Sequence, residues 1–486
     1  MGSLADIPIR LERGSEQSLP RQIAAQIRRA ILDGRLPPGS RLPSTRALAQ
    51  ALGVSRNVAL AAYDDLHAEG YIEGRHGSGT YVASDLPPLP RPAAPPLRHK
   101  ARWLRDPVAI PEAVPADLPG GIAFRLGQPS LAPLSRETWR RIWSRVASDL
   151  PPAGYGPVEG DPQLRAAIAG HLNRTRGVPC GPDDVVITAG AIQAVMLLAR
   201  AVLQPGDRAA IEDPGYPTAR RVLMTTGAAL VPVPVDHDGL RVECLPTGRN
   251  APLLVYVTPS HQYPLGVRLS VARRLSLLEW AREHDSLIVE DDYDSEFRFD
   301  APPLPPLAAL DEHGQVAYVG TFSKVLTPSL RVGYLVASRA LLDRVVRLKR
   351  LADYHTSWPV QRALAAFVSE GELDRHIQRA RRLYAERRRT LREGLAPVIG
   401  WARLWGLEAG LHAFLELAPG LSAVRVAALA RARGVIVSTL DDFSIGEPER
   451  QGLLLGYGGL ELDEIARGTQ VLVDVITELG EAHATK

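Results

Sequence analysis

The feature of this sequence that most restricts its fold is an alternation of apolar, strand-like runs with helical patterns, which begins near Ile122. The runs occupy residues 185–187, 208–211, 253–257, 287–289 and 316–319. Continuous apolar strands between helices indicate a mostly parallel sheet that is covered on both faces. Ligands of such sheets bind beyond the carboxyl ends of the strands, so the residues that follow each run are the first candidates for function.

The most informative of these candidates is Lys324, which follows the last run within Thr321-Phe322-Ser323-Lys324. Lysine is rare in this chain, which takes most of its positive charge from arginine. A lysine among small and apolar neighbours loses hydration, and this loss favours the neutral amine that attacks carbonyl groups. The alternative is that Lys324 is an ordinary solvated loop residue.

Pyridoxal 5'-phosphate is the usual aldehyde for such a lysine, and it has further needs that a sequence can meet. Its ring nitrogen needs a carboxylate, its 3-oxygen needs a phenol or similar donor, and its phosphate needs an anion-binding cradle. The run at residues 287–289 leads into Asp291, Asp292 and Tyr293. Neighbouring strand residues point in opposite directions, so either aspartate is a candidate for the ring nitrogen.

The candidate phosphate ligands are two hydroxyls, a guanidinium and a turn of small residues that opens a helix: Thr321, Ser323, Arg331, Gly190, Ala191 and Ile192. Small residues allow backbone N–H groups at the positive end of a helix to approach a phosphate. Tyr216 follows the next strand and either stacks on a flat ring or fills the core. His261 is interpreted as a structural histidine, with a catalytic base as the alternative.

The beginning of the chain has a different pattern, with three helices followed by two short strands. A helix at about residues 19–33 is followed by one that Ser44 caps, and after the Gly53-Val54 turn Ser55 caps a third. A helix, a glycine turn and a helix that opens with Ser55, Arg56 and Asn57 are typical of a helix-turn-helix, which places these first residues against base edges. The alternative is a small helical domain with solvated arginines.

Residues 84–119 are rich in proline, which favours extended geometry and predicts a semi-rigid linker. The sequence therefore predicts a domain over residues 1–83, this linker, and a second domain over residues 120–486.

Composition limits the partners. A net charge of +3 gives no global basic field, so any DNA contact must come from a local patch. Cys180 and Cys244 are too few for a disulfide scaffold and fit a reducing cytoplasm. The chain starts without a signal peptide and has no apolar run long enough to span a membrane. We expect a cytoplasmic protein without a membrane partner and without a metal site.

Three N-terminal motifs resemble the winged helix-turn-helix of the GntR family: Leu42-Pro43-Ser44-Thr45-Arg46, Gly53-Val54-Ser55-Arg56-Asn57 and Gly77-Ser78-Gly79-Thr80-Tyr81-Val82. The resemblance implies binding to double-stranded DNA. It implies contacts from the two helices and from the wing tip: Arg46, Arg56, Ser44, Ser55, Asn57, Arg75, His76 and Gly77. Val58 departs from the family, where a threonine that touches a phosphate is expected.

The second domain resembles the fold-type I aminotransferases, and the whole chain resembles the MocR/GabR family of transcription regulators. The motifs are Thr258-Pro259-Ser260-His261-Gln262 and Glu290-Asp291-Asp292-Tyr293-Asp294-Ser295-Glu296-Phe297-Arg298. The implied fold is a small, mainly α winged helix-turn-helix plus a large α/β, aspartate aminotransferase-like domain.

By this resemblance Lys324 forms the internal aldimine with pyridoxal phosphate, Asp291 pairs with the ring nitrogen, and Tyr293 binds the 3-oxygen. The resemblance assigns phosphate binding to Arg331, Thr321, Ser323 and the Gly190-Ala191-Ile192 turn, and ring stacking to Tyr216. Tyr155 resembles the tyrosine that reaches a phosphate in the partner subunit, which implies a homodimer.

Two departures weaken the case for efficient transamination. Leu454 stands where aminotransferases carry an arginine for the substrate carboxylate, and Tyr263 replaces the asparagine that supports the 3-oxygen. We therefore expect a regulator that senses pyridoxal phosphate, an amine or an amino acid, with at most a partial aminotransferase half-reaction. One alternative is a working aminotransferase with a vestigial DNA module, and another is a DNA-binding repressor whose second domain serves only dimerisation.

Overall fold

A computed structural model describes residues 9–15, 17–75, 78–85, 121–300 and 304–484. The chain divides into two compact units, Met1–Arg105 and Asp106–Lys486. All but the first two residues of the predicted linker lie outside the described residues, so the linker boundaries stay a prediction. None of the described helices combines the length and apolar character that a membrane crossing requires.

The N-terminal unit contains three helices and a two-stranded antiparallel wing. They are α1 (Leu19–Leu32), α2 (Thr45–Leu52), α3 (Arg56–Ala68), β1 (Ile72–Arg75) and β2 (Gly79–Val82). Local chemistry sets the boundaries. The Ser44 and Ser55 hydroxyls accept hydrogen bonds from the first turns of α2 and α3, and Gly53 ends α2 with φ 63°. The predicted winged helix-turn-helix is confirmed.

The C-terminal unit begins with the short strand β3 (Ile122–Ala123), which pairs with the later strand β14 (Val435–Ile436) in a separate two-stranded sheet, and continues with the helices and strands of one large sheet. In chain order they are β3 (Ile122–Ala123), α4 (Arg136–Ser148), α5 (Pro162–Arg176), β4 (Val185–Thr188), α6 (Ala191–Val202), β5 (Arg208–Asp213), α7 (Pro217–Met224), β6 (Ala229–Asp236), β7 (Gly239–Leu240), β8 (Leu254–Val257), α8 (Val271–His284), β9 (Leu287–Asp292), α9 (Leu307–Leu310), β10 (Val316–Thr321) and β11 (Gly333–Val336).

The remaining elements are helices and a second, smaller sheet. They are α10 (Arg339–Ala352), α11 (Trp358–Ser369), α12 (Glu372–Gly394), β12 (Ala402–Trp405), β13 (His412–Leu417), α13 (Ala423–Ala432), β14 (Val435–Ile436), β15 (Ser438–Thr439), β16 (Gly452–Gly456) and α14 (Leu462–Ala484). The smaller sheet has the order β12-β13-β16-β15 and is antiparallel.

The large sheet has the order β4-β11-β10-β9-β8-β5-β6-β7. The pairs from β10 through β9, β8 and β5 to β6 are parallel, whereas β11 runs antiparallel to both of its neighbours. Successive residues of β4 face different layers: Val186 packs with α6 and α10, while Val185 and Ile187 pack with α4, α5 and α11. Burial on both faces explains the continuous apolar runs, and it confirms the predicted α/β fold.

The strand register brings the candidate residues to one edge of the large sheet. Asp291 lies opposite Val319 and Asp292 opposite Gly320, so the carboxyl ends of β9 and β10 are side by side. Thr321 pairs with Gly333, which in turn pairs with Thr188 at the end of β4. Residues that lie far apart in the sequence therefore meet beyond these strand ends.

Candidate functional site

Lys324 follows β10, and its side chain points back across the strand ends. Its Nζ donates a hydrogen bond of 2.7 Å to the backbone oxygen of Gly127. Burial lowers the pKa of Lys324, although the carboxylates of Asp294 and Asp291 oppose this shift. A lowered pKa increases the fraction of neutral amine near pH 7, which is the form that attacks an aldehyde.

Asp291 is a buried carboxylate with one oxygen left without a partner. The Tyr256 hydroxyl donates to Oδ2 at 2.6 Å, while the buried Oδ1 has no hydrogen-bond partner. Burial raises the pKa of Asp291 to about 6, and neighbouring Asp292 adds to this shift. An unsatisfied buried oxygen is costly, and here it faces the same strand ends as Lys324.

Asp292 is engaged elsewhere. Its Oδ2 accepts hydrogen bonds from Arg176 at 2.5 Å and from Tyr318 at 2.6 Å. Burial alone would favour the neutral acid, but the charge of Arg176 and the hydrogen bonds from Tyr318, Ser295 and Arg176 together outweigh burial and lower the pKa of Asp292. The Oδ1 atoms of both aspartates lack a hydrogen-bond partner, so the two differ in their Oδ2 contacts: Asp292 is ion-paired with Arg176, whereas Asp291 accepts only from the Tyr256 hydroxyl and has no cationic partner within the described residues.

The predicted phosphate turn lies against Arg331. Gly190 caps α6 with φ 93°, and the Arg331 Nη2 donates to the oxygen of Ala189 at 2.8 Å. A Cβ on Gly190 would come within 3.0 Å of Arg331 Nη2, so only glycine fits this approach. Ala191 and Ile192 form the first turn of α6, whose unsatisfied N–H groups favour an anion.

The two predicted hydroxyls lie at the end of β10. The Thr321 hydroxyl donates to Ser323 Oγ at 3.0 Å, and both side chains are buried. The site lies close to the turn, because a Cβ on Gly333, the strand partner of Thr321, would meet Gly190 at 2.8 Å. The structure thus brings the six predicted phosphate ligands to one side of the strand ends.

Aromatic rings line another side of the predicted cofactor site. Tyr263 makes edge contacts with Tyr216 at 5.3 Å and with Tyr293 at 5.7 Å between ring centroids. Tyr216 is close enough to Asp291 and Arg331 for both charges to act on it, while burial raises its pKa. Tyr263, which stands where the resemblance expects asparagine, is therefore part of an aromatic wall rather than a polar donor.

Tyr293 is supported by His261. Its hydroxyl donates to the backbone oxygen of His261 at 2.8 Å and lies 3.2 Å from His261 Nδ1. His261 Nδ1 lies 2.9 Å from Asp294 Oδ2, and Nε2 lies 3.3 Å from the oxygen of Gly406. Although burial works against it, Asp294 raises the pKa of His261. Both ring nitrogens have partners, as expected for a structural histidine.

His412 packs beside this pair, with ring centroids 4.7 Å from His261. One ligand atom from each of His261, Asp294 and His412 lies within 4.8 Å of the others, which is the spacing of a metal site. Close packing fills the surroundings, since a Cβ on Gly410 would lie 2.1 Å from the His261 ring. The group acts as a packed hydrogen-bonding cluster behind Tyr293.

Leu454 is fully buried on β16, in an apolar cluster with Phe414 and Phe443. Tyr263 packs against the same cluster. An apolar wall thus occupies the position where aminotransferases are expected to place a guanidinium. This wall offers no charge to a substrate carboxylate.

Tyr155 is an exposed tyrosine that precedes α5. Its side chain is 77% exposed, and its ring stacks on Tyr354 at 4.7 Å. Its prediction as a contact to the partner subunit stays a prediction.

The starts of α2 and of α3, the predicted recognition helix, present exposed polar side chains. Arg46, Arg56 and Asn57 are exposed, and within the described part of the chain their side chains have no hydrogen-bond or ion-pair partner. Ser44 and Ser55 are also exposed, but their hydroxyls already accept from Ala47 N at 3.2 Å and from Val58 N at 3.4 Å as helix caps.

The wing differs from the recognition helix. Arg75 folds back onto its own strand pair, with Nη2 2.9 Å from Glu73 Oε1 and its guanidinium 4.7 Å from the Tyr81 ring. His76 and Gly77 lie outside the described residues. Arg41, which sequence reasoning missed, lies at the base of the wing, 3.4 Å from where a Cβ on Gly79 would be.

Sequence reasoning also missed four residues that contact Lys324, Asp291, His261 and Asp292 in the structure. They are Gly127, Tyr256, Asp294 and Arg176, respectively. Tyr256 lies opposite Val289 in the register of β8 and β9, on the same face as Asp291. That register is a property of the folded sheet. Asp294 lies within the acidic motif quoted above, but its role depends on the approach of His261.

Known proteins match both units. The family model for class I and II aminotransferases matches residues 137–451, and the model for bacterial regulatory proteins of the gntR family matches residues 19–82. The probable rhizopine catabolism regulatory protein MocR of Rhizobium meliloti is 39% identical over 480 residues, covering 95% of this chain and 94% of that protein. The pyridoxine biosynthesis transcriptional regulator PdxR of Corynebacterium glutamicum is 37% identical, covering 95% and 97%.

Solved aminotransferases share the fold of the larger unit. The α-aminoadipate aminotransferase LysN of Thermus thermophilus, solved with N-(5'-phosphopyridoxyl)-L-leucine, has a TM-score of 0.69 and 28% identity, covering 75% of this chain and 94% of that one. An archaeal alanine:glyoxylate aminotransferase has a TM-score of 0.70 and 29% identity, covering 74% and 91%. The chain belongs to the MocR-type family of helix-turn-helix transcription regulators, in which a GntR-type DNA-binding domain is joined to an aminotransferase-like domain.

Membership of the aminotransferase class implies dependence on pyridoxal phosphate, and the residues present fit that group. The buried Asp291 Oδ1 lacks a partner, as expected for an oxygen that awaits a ring nitrogen. Gly190 has no Cβ, which lets the Arg331 guanidinium lie directly against the turn, where a Cβ would be 3.0 Å from Nη2. Both features suit a phosphorylated pyridine with an aldehyde.

Proposed function

We propose that this protein is a transcription regulator that binds operator DNA through α3 and the wing, and binds pyridoxal phosphate covalently at Lys324. The observation that carries the proposal is the meeting of three features at one sheet edge: the buried Lys324 amine, the partnerless Asp291 oxygen, and the Gly190–Arg331 contact. The named functions of the relatives support it, since PdxR is a regulator of pyridoxine biosynthesis.

In this proposal each site residue has one task. Asp291 Oδ1 accepts the ring N–H, the Tyr293 phenol binds the 3-oxygen, and Tyr216 covers the ring. The phosphate is held by the turn and its neighbours: Gly190, Ala191, Ile192, Arg331, Thr321 and Ser323. When bound, the cofactor supplies an electrophilic aldehyde carbon that combines with primary amines.

Lys324 links occupancy to the rest of the domain. Burial lowers the pKa of the free Lys324 amine, while Asp294 and Asp291 favour its protonated form. Asp294 interacts electrostatically with both Lys324 and His261, so loss or return of the positive charge on Lys324 changes the electrostatic interaction between Asp294 and His261. His261 Nε2 contacts the oxygen of Gly406, which lies in the connection between β12 and β13 of the smaller sheet. A charge change at one amine thereby reaches a different part of the unit, where it can shift the population of two conformations.

The effector is an amine, an amino acid or a vitamer of the cofactor itself. The partners are double-stranded operator DNA and a second copy of this chain, whose exposed Tyr155 would complete the phosphate site. Because operator DNA lies in the cytoplasm of a bacterial cell, we place the protein there.

A working aminotransferase is the second candidate, because the matched structures are aminotransferases and the cofactor ligands are complete. Buried Leu454 argues against it, since no guanidinium stands at that position for a substrate carboxylate. Steady turnover with an amino donor and a keto acid would favour this candidate over the regulator.

Absorbance and DNA binding test the proposal together. The full chain mixed with pyridoxal phosphate should turn yellow, and borohydride should bleach the colour and fix the adduct. Lys324→Ala should remain colourless. In a gel-shift assay this variant should still bind a DNA fragment taken from upstream of the gene that encodes the protein. A wild-type protein that stays colourless contradicts the cofactor half of the proposal, and one that binds no upstream DNA contradicts the other half.

A further inference from the structure

A chain of hydrogen bonds joins the predicted phosphate turn to the end of α10. The side chain of Lys349 is fully buried, and its Nζ donates to both carboxylate oxygens of Asp353, at 2.8 and 2.9 Å. Gln193 Nε2 donates to Asp353 Oδ2 at 2.8 Å, and the Ala189 N–H donates to Gln193 Oε1 at 2.7 Å. Buried Lys349 and partly exposed Asp353 are thus connected through Gln193 to the backbone beside Gly190.

The polarity of this chain fixes the orientation of one amide. Gln193 has one accepting oxygen and one donating nitrogen. The Ala189 N–H needs an acceptor, and the Asp353 carboxylate needs a donor, so only one orientation of the Gln193 amide satisfies both. Lys349 Nζ donates to both carboxylate oxygens of Asp353, which holds the carboxylate in place beside Gln193.

Both backbone polar groups of Ala189, the residue that precedes Gly190, are consequently held. Gln193 binds the Ala189 N–H, and Arg331 donates to the Ala189 oxygen at 2.8 Å. Gly190 follows with φ 93° and opens α6. A backbone that cradles an anion must be oriented in advance, since otherwise binding would have to order it.

We propose that Asp353 is a positioning residue for the cofactor phosphate, which acts through Gln193 on the backbone of Ala189, the residue before Gly190. This inference rests on the proposed function. Asp353 touches neither the ring nor the aldehyde side of the site in this arrangement. Its effect should therefore depend on the phosphate of the ligand and on nothing else.

Pyridoxal, which has the same ring and aldehyde without the phosphate, separates these effects. Asp353→Asn leaves one accepting oxygen for the two donors Lys349 and Gln193 and turns an NH2 group towards one of them, so it weakens the hold on the Gln193 amide. We expect the Kd of the full-length protein for pyridoxal phosphate to rise on the order of tenfold, while the Kd for pyridoxal stays unchanged. Both constants are measured from the absorbance of the lysine adduct.

The same helix offers a matched control. Asp343 also forms an i,i+4 ion pair, with Arg339 at 3.1 Å, but both side chains are more than half exposed. Asp343→Asn should change neither constant. Gln193→Ala leaves the Lys349–Asp353 pair intact and should reproduce the selective loss, which guards against a folding defect in Asp353→Asn.

The outcomes are distinct. Equal losses for both ligands, or no loss for either, overturn the positioning role. A wild-type protein that forms an adduct with neither ligand contradicts the proposed function, and the inference falls with it. If the wild-type protein forms the adduct but the ratio of the two Kd values is unaltered in both Asp353→Asn and Gln193→Ala, only the inference about Asp353 is contradicted.

Discussion

The edge of the large sheet and the recognition helix handle charge in opposite ways. At the sheet edge, Asp291, Asp292 and Lys324 are largely removed from water, and their pKa values shift in directions that their neighbours explain. On the helix, Arg56 and Asn57 are exposed and bind nothing within the described residues. The two regions share one chain but have different requirements.

The difference teaches where each region obtains its affinity. Buried groups at the sheet edge are oriented before a ligand arrives, and the fold bears the cost of an unsatisfied Asp291 oxygen. Exposed arginines cost little in the free protein and gain their energy only when phosphates replace water and counterions. Substitutions at the sheet edge should therefore change stability as well as binding, and those on the helix should change binding alone.

The largest effect is expected for Asp292→Ala. This change leaves Arg176 buried without its carboxylate partner, and breaking a buried pair costs about 3–5 kcal/mol. Urea unfolding of the cofactor-free protein measures the loss. Arg46→Ala is the exposed comparison and should stay within about 0.5 kcal/mol of wild type. Similar losses in both variants would break the contrast between the regions.

Asp291→Asn should act in the opposite direction on stability. Burial raises the pKa of Asp291 from 3.8 to about 6, so the folded state binds the proton more tightly than the unfolded state does. Stability from this group is present below the unfolded pKa and is lost as the pH rises towards 6. The variant should gain about 1–3 kcal/mol at pH 7 without cofactor, and it should lose affinity for pyridoxal phosphate. Unfolding curves at pH 4.5 and 7 test this sign, and a variant less stable than wild type at pH 7 would contradict it.

Arg56→Ala should leave unfolding unchanged and weaken operator binding by about 1–2 kcal/mol. Titrations at several salt concentrations distinguish two kinds of contact. If Arg56 contacts a phosphate, its loss lowers the slope of log affinity against log salt concentration by roughly one unit. If Arg56 contacts a base, its loss relaxes specificity at one position of the operator. An unchanged footprint would refute the assignment of α3 as the recognition helix.

The smallest effect is expected for Ser55→Ala, at about 1 kcal/mol of stability in the N-terminal unit. Its hydroxyl caps α3 in the structure, so Ser55→Asn, which can also cap, should restore the stability. If DNA affinity falls equally in both variants, Ser55 contacts DNA directly. If it recovers with the cap, Ser55 acts by holding the helix.

The sequence predicts what depends on local chemistry. Strand positions follow from continuous apolar runs, and the starts of α2 and α3 follow from Ser44 and Ser55, whose hydroxyls bond only three residues ahead. Lys324 stands out because lysine is rare and because an apolar strand precedes it.

Contacts between distant residues are not available from such patterns. Lys324 reaches Gly127 across 197 residues, and Arg176 reaches Asp292 across 116. These pairs depend on strand register and helix packing. Arg75 illustrates the same limit on the wing, because its pairing with Glu73 and Tyr81 competes with the predicted reach towards DNA.

The most direct test of the central claim is to locate the covalent adduct. The full-length protein would be reduced with borohydride in the presence of pyridoxal phosphate, digested and analysed by mass spectrometry. The account predicts a phosphopyridoxyl group on Lys324 and none on the buried, ion-paired Lys349. An unmodified Lys324, or a modification spread over other lysines, would contradict it.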